Sequence, residues 1–411
     1  MVHSKKYPWI LVGLLWVVAL LNYLDRQMLS TMKPSMEGDI VELESAANFG
    51  RLMAVFLWIY GLMSPVAGMI ADKVNRKWLI VISLFVWSAV TFAMGYATTF
   101  DQLYWLRAIM GVSEALYIPA GLSLIADFHS SKTRSLAIGI HMTGLYMGQA
   151  LGGFGATVAD QFSWQTAFRS FGIAGIIYAF VLVLLLREKK AEPILKSVTE
   201  TVKRSSVFKG LAVLLSNISF WIILFYFAVP SLPGWGVKNW LPTLFAESLS
   251  TEMAVAGPLS TITIAISSFI GVITGGILSD RWVQKNIRGR VYTSAIGIAL
   301  TIPALMFIGF GDSLFSIISA AACFGIGFGM FDANNMPILC QFVSSKYRAT
   351  AYGLMNMTGV FFGAFITDYL GRSTDAGNLG RDFAFLAGIV LLALIVQVSF
   401  LRPRVNDYTE S

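Results

Sequence analysis

Apolar residues run through this chain in twelve long blocks separated by short polar stretches. The blocks lie near residues 9–32, 52–71, 78–98, 102–126, 135–158, 165–187, 213–241, 254–279, 291–310, 313–339, 349–370 and 382–401. Each approaches the roughly 20 residues that an α-helix needs to cross hydrocarbon. None alternates apolar with polar positions as a barrel strand would. The pattern predicts an all-α membrane protein with twelve transmembrane helices. The first block runs into Asp25-Arg26 rather than a small-residue cleavage site, so it is expected to stay as the first helix.

The longest internal polar stretch runs from Glu188-Lys189-Lys190 to Ser205-Ser206. It divides the chain into an N-terminal bundle of six helices (1–188), a cytoplasmic linker (189–210) and a C-terminal bundle of six (211–411). The linker is too short for a domain and suits a surface-lying amphipathic segment. The halves repeat each other. Gly68-Met-Ile-Ala-Asp72-Lys73 returns as Gly276-Ile-Leu-Ser-Asp280-Arg281, at an offset of 208. Ser130-Ser131-Lys132-Thr133-Arg134, with Gly139, returns as Ser344-Ser345-Lys346-Tyr347-Arg348, with Gly353, at an offset of 214. An even number of spans per half makes this a parallel repeat, whose halves rock about a central site.

Composition agrees. Of 411 residues 56% are hydrophobic and 13% charged, against about 25% charged in soluble domains. The net charge of +7 invites a nucleic-acid reading, but its distribution opposes one. With the N-terminus placed in the cytoplasm, 22 of the 30 Lys and Arg fall in cytoplasmic segments. The opposite loops hold Glu37, Asp39, Glu42, Glu44, Asp101, Asp160, Glu247 and Glu252. This positive-inside bias puts both termini in the cytoplasm and accounts for the basic chain without a nucleic-acid partner. Cys323 and Cys340 form neither a disulfide framework nor a metal spacing. No nucleophile triad, phosphate loop or metal cluster is visible, so no cofactor, no enzyme and no pump carrying its own ATPase is expected.

In the first third of the chain four ionisable residues stand inside apolar blocks: Asp25, Arg26, Arg107 and Glu114. Charges in hydrocarbon are costly and mark polar cavities or pathways. Arg107 and Glu114 are seven apart and return to within about 20° of one direction, so both can face one cavity. Asp25 and Arg26 point about 100° apart, so one can face the cavity while the other faces a neighbouring helix. Arginine stays charged and its fork matches a carboxylate, which makes Arg26 and Arg107 anion-binding candidates. The plainer reading is that each neutralises a bundle acid, Arg107 with Glu114 for instance. Asp25 and Glu114 are candidate proton carriers, since a carboxylate away from water can take a proton when its cation withdraws. Tyr23, Tyr60, Tyr146 and Gln149 are further binding candidates in this half.

One repeat of 214 beyond Arg107 and Glu114 stand Ala321 and Phe328, both uncharged. The N-terminal bundle is therefore expected to do the coupling. The C-terminal bundle would add polar and aromatic contacts, with Tyr226, Asn335 and Asn356 as candidates. Asp332, the one acid of the tenth helix, would either join them or sit near the cytoplasmic end and cap a gate. Gly144, Gly148 and Gly152, spaced by four, predict close helix packing. His141, alone inside a span, reads as a core histidine.

Gly68-x-x-x-Asp72-Lys73-x-Asn75-Arg76-Lys77 resembles the signature loop of the major facilitator superfamily, with Asn75 at a usual glycine, where its tolerance of left-handed backbone keeps the turn. Arg107-x-x-x-Gly111-x-x-Glu114 resembles the family's fourth-helix motif. Asn22-Tyr23-Leu24-Asp25-Arg26, Arg107 with Glu114, and Asn239-Trp240-Leu241-Pro242-Thr243 after the seventh helix are similar to the anion:cation symporters. Spinster-like lipid carriers share the charged pairs.

The resemblance implies the fold of that superfamily, two pseudo-symmetric six-helix bundles. It also implies a cytoplasmic gate formed by Gly68, Asp72, Lys73, Arg76, Lys77, Arg134, Asp280, Arg281 and Arg348. Within it, Asp72 and Asp280 would meet helix N-termini. The expectation is a monomeric carrier in a bacterial inner membrane. It would import a small organic anion, a hexuronate, aldonate or sialic acid, with protons by alternating access. The rivals are a spinster-like lipid carrier and a non-transporting sensor.

Overall fold

The computed structural model describes residues 6–71, 74–130, 133–188, 212–344 and 347–403. The expected linker 189–210 and the gate residues Asp72 and Lys73 lie outside them. Among the described residues twelve helices cross in succession and no strand occurs. They are α1 (Tyr7–Leu29), α2 (Ala46–Ala71), α3 (Arg76–Met94), α4 (Phe100–Phe128), α5 (Arg134–Gly152), α6 (Trp164–Leu185), α7 (Ile218–Ser248), α8 (Met253–Val283), α9 (Gly289–Phe310), α10 (Leu314–Cys340), α11 (Arg348–Asp375) and α12 (Leu379–Phe400). Ten are long and apolar enough to cross a membrane on those grounds alone. The other two are α5, which packs on α1 and α8, and α11, which packs on α2 and α7.

Local chemistry sets the starts. Thr99, Ser163, Asn217 and Ser313 each accept a hydrogen bond from a backbone amide of the first turn of α4, α6, α7 and α10, filling donors that a helix leaves open. Asn75 does the same for α3, accepting from the Trp78 amide at 3.1 Å. Its backbone is at φ −58°, ψ 115°. It is therefore a cap and not the left-handed turn residue expected. Trp240-Leu241-Pro242-Thr243 lies inside α7 rather than after it.

Two helices break. α4 stops at Ala115 and resumes at Tyr117, with Pro119 just beyond. α10 stops at Asp332 and resumes at Asn335. These helices occupy corresponding places in the two repeats.

Small residues bring the helices close. A Cβ on Gly144, Gly148 or Gly152 would lie 2.6 Å from the Trp16 carbonyl oxygen, 2.2 Å from that of Leu20 and 2.5 Å from the Gln27 Cβ. The expected glycine stripe is thus the seam between α5 and α1. His141 is fully buried, edge-on to Tyr117 at 5.9 Å.

The halves meet along α2–α11 and α5–α8, chiefly towards one end. Asp375, at the exposed end of α11, accepts from the Ala46 amide (2.7 Å), the Ala47 amide (2.9 Å) and the Ser45 hydroxyl (2.8 Å) at the start of α2. A Cβ on Gly50 would meet the Thr367 carbonyl oxygen at 2.9 Å, and one on Gly153 the Gly257 carbonyl oxygen at 2.9 Å. Proline adds two bonds here. Pro242 has no amide, so the Lys238 carbonyl four residues earlier loses its helical donor; Gln27 of α1 donates to it at 2.9 Å. Pro258 likewise frees the Ala254 carbonyl, which accepts from the Thr157 hydroxyl at 3.1 Å. At the other end a Cβ on Gly68, Gly139, Gly276 or Gly353 would meet nothing within 4 Å.

Candidate substrate and coupling site

The four charges of the N-terminal half form one buried group. Arg26 Nε lies 2.6 Å from Glu114 Oε2, joining α1 to α4. Asn22 Nδ2 donates to the same oxygen at 3.0 Å. Glu114 is completely buried, and Asp25 and Arg107 nearly so. Arg107, the other candidate partner for Glu114, makes no such pair among the described residues. Its guanidinium stacks 4.6 Å from the Phe56 ring centroid, and one nitrogen donates to Met110 Sδ at 3.2 Å. Asp25 turns away to α3, accepting from the Thr91 hydroxyl at 3.2 Å. Of the adjacent pair, Arg26 therefore points to α4 and Asp25 to α3.

Aromatic faces enclose the Arg26 guanidinium. Its carbon is 5.1 Å from the Tyr23 ring centroid, 4.7 Å from that of Phe56 and 4.6 Å from that of Tyr60. Ring quadrupoles attract a cation at such distances. A desolvated ion pair is stabilising only when its remaining hydrogen-bonding capacity is also met. Here Arg26 Nη2, Glu114 Oε1, Arg107 Nε and Asn22 Oδ1 have no partner among the described residues. The cluster thus keeps unused hydrogen-bonding capacity inside the protein.

Beside it lies a cavity of about 70 Å³ between the halves. Three of the binding candidates, Tyr23, Tyr146 and Gln149, line it from the N-terminal half. From the other half it is lined by Lys238, Ser268, Phe324, Phe328 and Asp332, among others. Asp332 is thus a cavity residue rather than a gate cap. The C-terminal half thus brings a cation to the cavity as well, Lys238 of α7, which the sequence analysis does not single out. It stands near the end of the block 213–241 and next to the Asn239-Trp240 motif, so a charge inside that block was the available signal.

The other binding candidates lie elsewhere. Tyr226 is buried inside the C-terminal half, bonded to Ser294 (2.8 Å) and Asn335 (3.0 Å). Asn335 in turn donates to Asp332 at 3.2 Å. Asn356 donates to Ser64 Oγ at 3.3 Å across the α2–α11 seam. Tyr60 packs on Arg26 and Phe56.

Of the expected gate residues, Arg76 pairs with Asp127. The Lys77 ammonium donates to the Val183 carbonyl at 2.7 Å and its amide to Glu188 at 2.8 Å. Asp280 lies 3.8 Å from the guanidinium of Arg290, in the first turn of α9. Arg348 donates to the Val343 and Cys340 carbonyls, both at 3.1 Å. Arg134 and Arg281 are exposed, and a Cβ on Gly68 would meet nothing within 4 Å. Each of these bonds stays within its own half.

Comparison with known proteins fits this architecture. The chain is 25% identical to the hexuronate transporter of Bacillus subtilis (strain 168), covering 98% of this chain and 96% of that protein. It is 24% identical to the sphingosine-1-phosphate transporter SPNS2 of Xenopus tropicalis, covering 96% and 81%. Among solved structures, a bacterial homolog of the human lysosomal transporter spinster, inward-facing and unoccupied, shares the fold. Its TM-score is 0.84 at 19% identity, over 98% of this chain and 100% of that one. Residues 15–367 match the description of the Major Facilitator Superfamily. With that match over most of its length, two repeated halves and a cavity between them, the chain belongs to the major facilitator superfamily and is a membrane transporter, not an enzyme.

Proposed function

We propose that this transporter imports a small sugar acid, such as a hexuronate or aldarate, together with protons across a bacterial inner membrane, with both termini in the cytoplasm. The observation that carries the reading is the buried Arg26–Glu114 pair, 2.6 Å long, beside a cavity shared by both halves. Glu114 charged holds Arg26. Protonated Glu114 no longer neutralises it, and the freed guanidinium supplies a bidentate anion donor. Arg107, with no carboxylate partner, adds to the positive field. Asp25, bonded only to Thr91, is the second proton carrier. The relatives named for hexuronate and for galactarate/D-glucarate support the substrate class.

In this reading the joined end, with Asp375 on α2, faces outward, and the open glycines face the cytoplasm. Import returns the protein to the alternative state by separating the first and closing the second. The test is uptake of labelled sugar acids into proteoliposomes with and without an inward proton gradient. The wild type should accumulate one acid. Asp25→Asn with Glu114→Gln should abolish gradient-driven accumulation while leaving exchange of internal for external acid. Undiminished accumulation by that double variant would refute the coupling role.

A lipid carrier is the alternative, favoured by similarity to spinster-like proteins as close as that to the sugar-acid carriers. It predicts lysolipid transfer and no uptake of any acid in the same liposomes.

A further inference from the structure

The two halves carry the same charged pair, closed in one and open in the other. Arg26 of α1 and Lys238 of α7 are 212 residues apart, and Glu114 of α4 and Asp332 of α10 are 218 apart. Both spacings lie within four residues of an offset of 208 or 214 found for the signature motifs, and α1 with α7, and α4 with α10, are corresponding helices. Local structure supports the match. Glu114 lies in the last turn before α4 breaks, and Asp332 is the last residue before α10 breaks. In the N-terminal half the pair is in contact at 2.6 Å. In the C-terminal half Lys238 and Asp332 line one cavity and no ion pair within 4.0 Å joins them.

Among the described residues no ion pair of Lys238 is found. Its ammonium is 4.9 Å from the Trp235 ring centroid and 5.9 Å from that of Tyr23, the ring that also faces Arg26 at 5.1 Å. One aromatic ring thus stands between the cations of the two halves. The backbone beneath Lys238 is fixed to α1, because its carbonyl accepts from Gln27. The neighbouring acid keeps one side-chain bond, from Asn335.

We infer that Lys238 and Asp332 form the substrate subsite of the C-terminal half and take a hydroxycarboxylate. The carboxylate sits on the Lys238 ammonium and a neighbouring hydroxyl donates to Asp332. A bare anion would meet the Asp332 charge uncompensated, so the pair selects a hydroxylated acid over a simple carboxylate. With Arg26 freed across Tyr23, the anion is held from both halves. This rests on the import of a sugar acid proposed above and names the residues that recognise it.

The experiment measures concentration-dependent uptake of labelled D-glucuronate, D-galacturonate and galactarate in proteoliposomes, with propionate as unlabelled competitor. It compares wild type, Lys238→Gln, Lys238→Arg and Asp332→Asn, each checked for melting temperature and monodispersity. Lys238→Gln should raise the half-saturation concentration roughly ten- to hundredfold, as loss of a charged hydrogen-bond partner implies. Lys238→Arg should keep it within a few-fold. Asp332→Asn should narrow the preference for sugar acid over propionate at least fivefold. Folded Lys238→Gln that transports the acid with unchanged half-saturation overturns the subsite. So does Asp332→Asn with unchanged selectivity. A wild type that takes up no acid refutes the sugar-acid reading itself, so the two failures are distinguishable.

Discussion

Asp375 ties the C-terminal half to the first turn of α2, and removing it should open that end of the molecule. Its carboxylate accepts two backbone amides and one hydroxyl within 2.9 Å. Those amides are helix-start donors that nothing else in α2 can fill. Loss of an N-terminal cap costs about 0.5–2 kcal/mol, and removing a negative charge from a helix N-terminus about 0.3–1 kcal/mol. The site is exposed, so water recovers part of both. A net 1–2 kcal/mol against the joined state is the expectation for Asp375→Ala, a factor of about 5–30 in the conformational equilibrium.

Spin labels at exposed Val41 and Leu314, in a background lacking Cys323 and Cys340, would report this as a growing long-distance population. Asp375→Asn keeps an acceptor without the charge and should fall between. The pH dependence has a definite sign. Partial burial would raise the carboxyl, but the Ala47 amide, the Ser45 hydroxyl and the Ala46 amide together hold it below the ordinary carboxylate range. A depressed value in the joined state means its contribution is complete above the ordinary value, about 4, and lost as pH falls through the depressed one. The distances should stay constant through neutral pH and lengthen only in strong acid. Unchanged populations in Asp375→Ala would refute the assignment of this contact as a latch.

Two further outcomes follow from the packing. Gln27→Leu leaves the Lys238 carbonyl without a donor and should weaken the joined end by about 1–3 kcal/mol. In a Pro242→Ala background, where an amide is restored, the same change should cost less than a third as much. Equal costs in both backgrounds, measured by the same label distances, would sink the proline explanation. Gly148→Ala forces a Cβ to 2.2 Å from the Leu20 carbonyl oxygen and should destabilise the α1–α5 seam by about 1–3 kcal/mol, seen as a lowered melting temperature. Gly139→Ala, which meets nothing within 4 Å, is the control and should melt as the wild type does.

The helices and the repeat were legible because they depend on apolar length and on short motifs. The glycine seam was legible because spacing by four places residues on one helical face. The partner of Glu114 was not. Arg26 and Arg107 were both within its plausible reach, and the choice depends on how α1 is rotated and slid against α4, which no local pattern encodes. The C-terminal pair was missed for a different reason. A constant offset of 214 from Glu114 falls on Phe328, whereas the structural counterpart is Asp332. The difference of four residues is close to one helical turn, which keeps the side chain on the same face while defeating a fixed-offset comparison. Asn75 shows the limit of reading a turn from residue type, since Asn serves equally as a helix cap.

Gly68, Gly139, Gly276 and Gly353 have open space around them in the conformation described. They sit in two repeat-related pairs on the four helices that face across the molecule. Nothing in the packing of this one state constrains them, so a screen that scores folded stability would pass larger residues at all four. A turnover screen would judge them by the other state, in which those helix ends approach. Tolerance at these positions is therefore a property of the cycle, and an alanine or leucine there would yield a well-folded protein arrested on one side of the membrane.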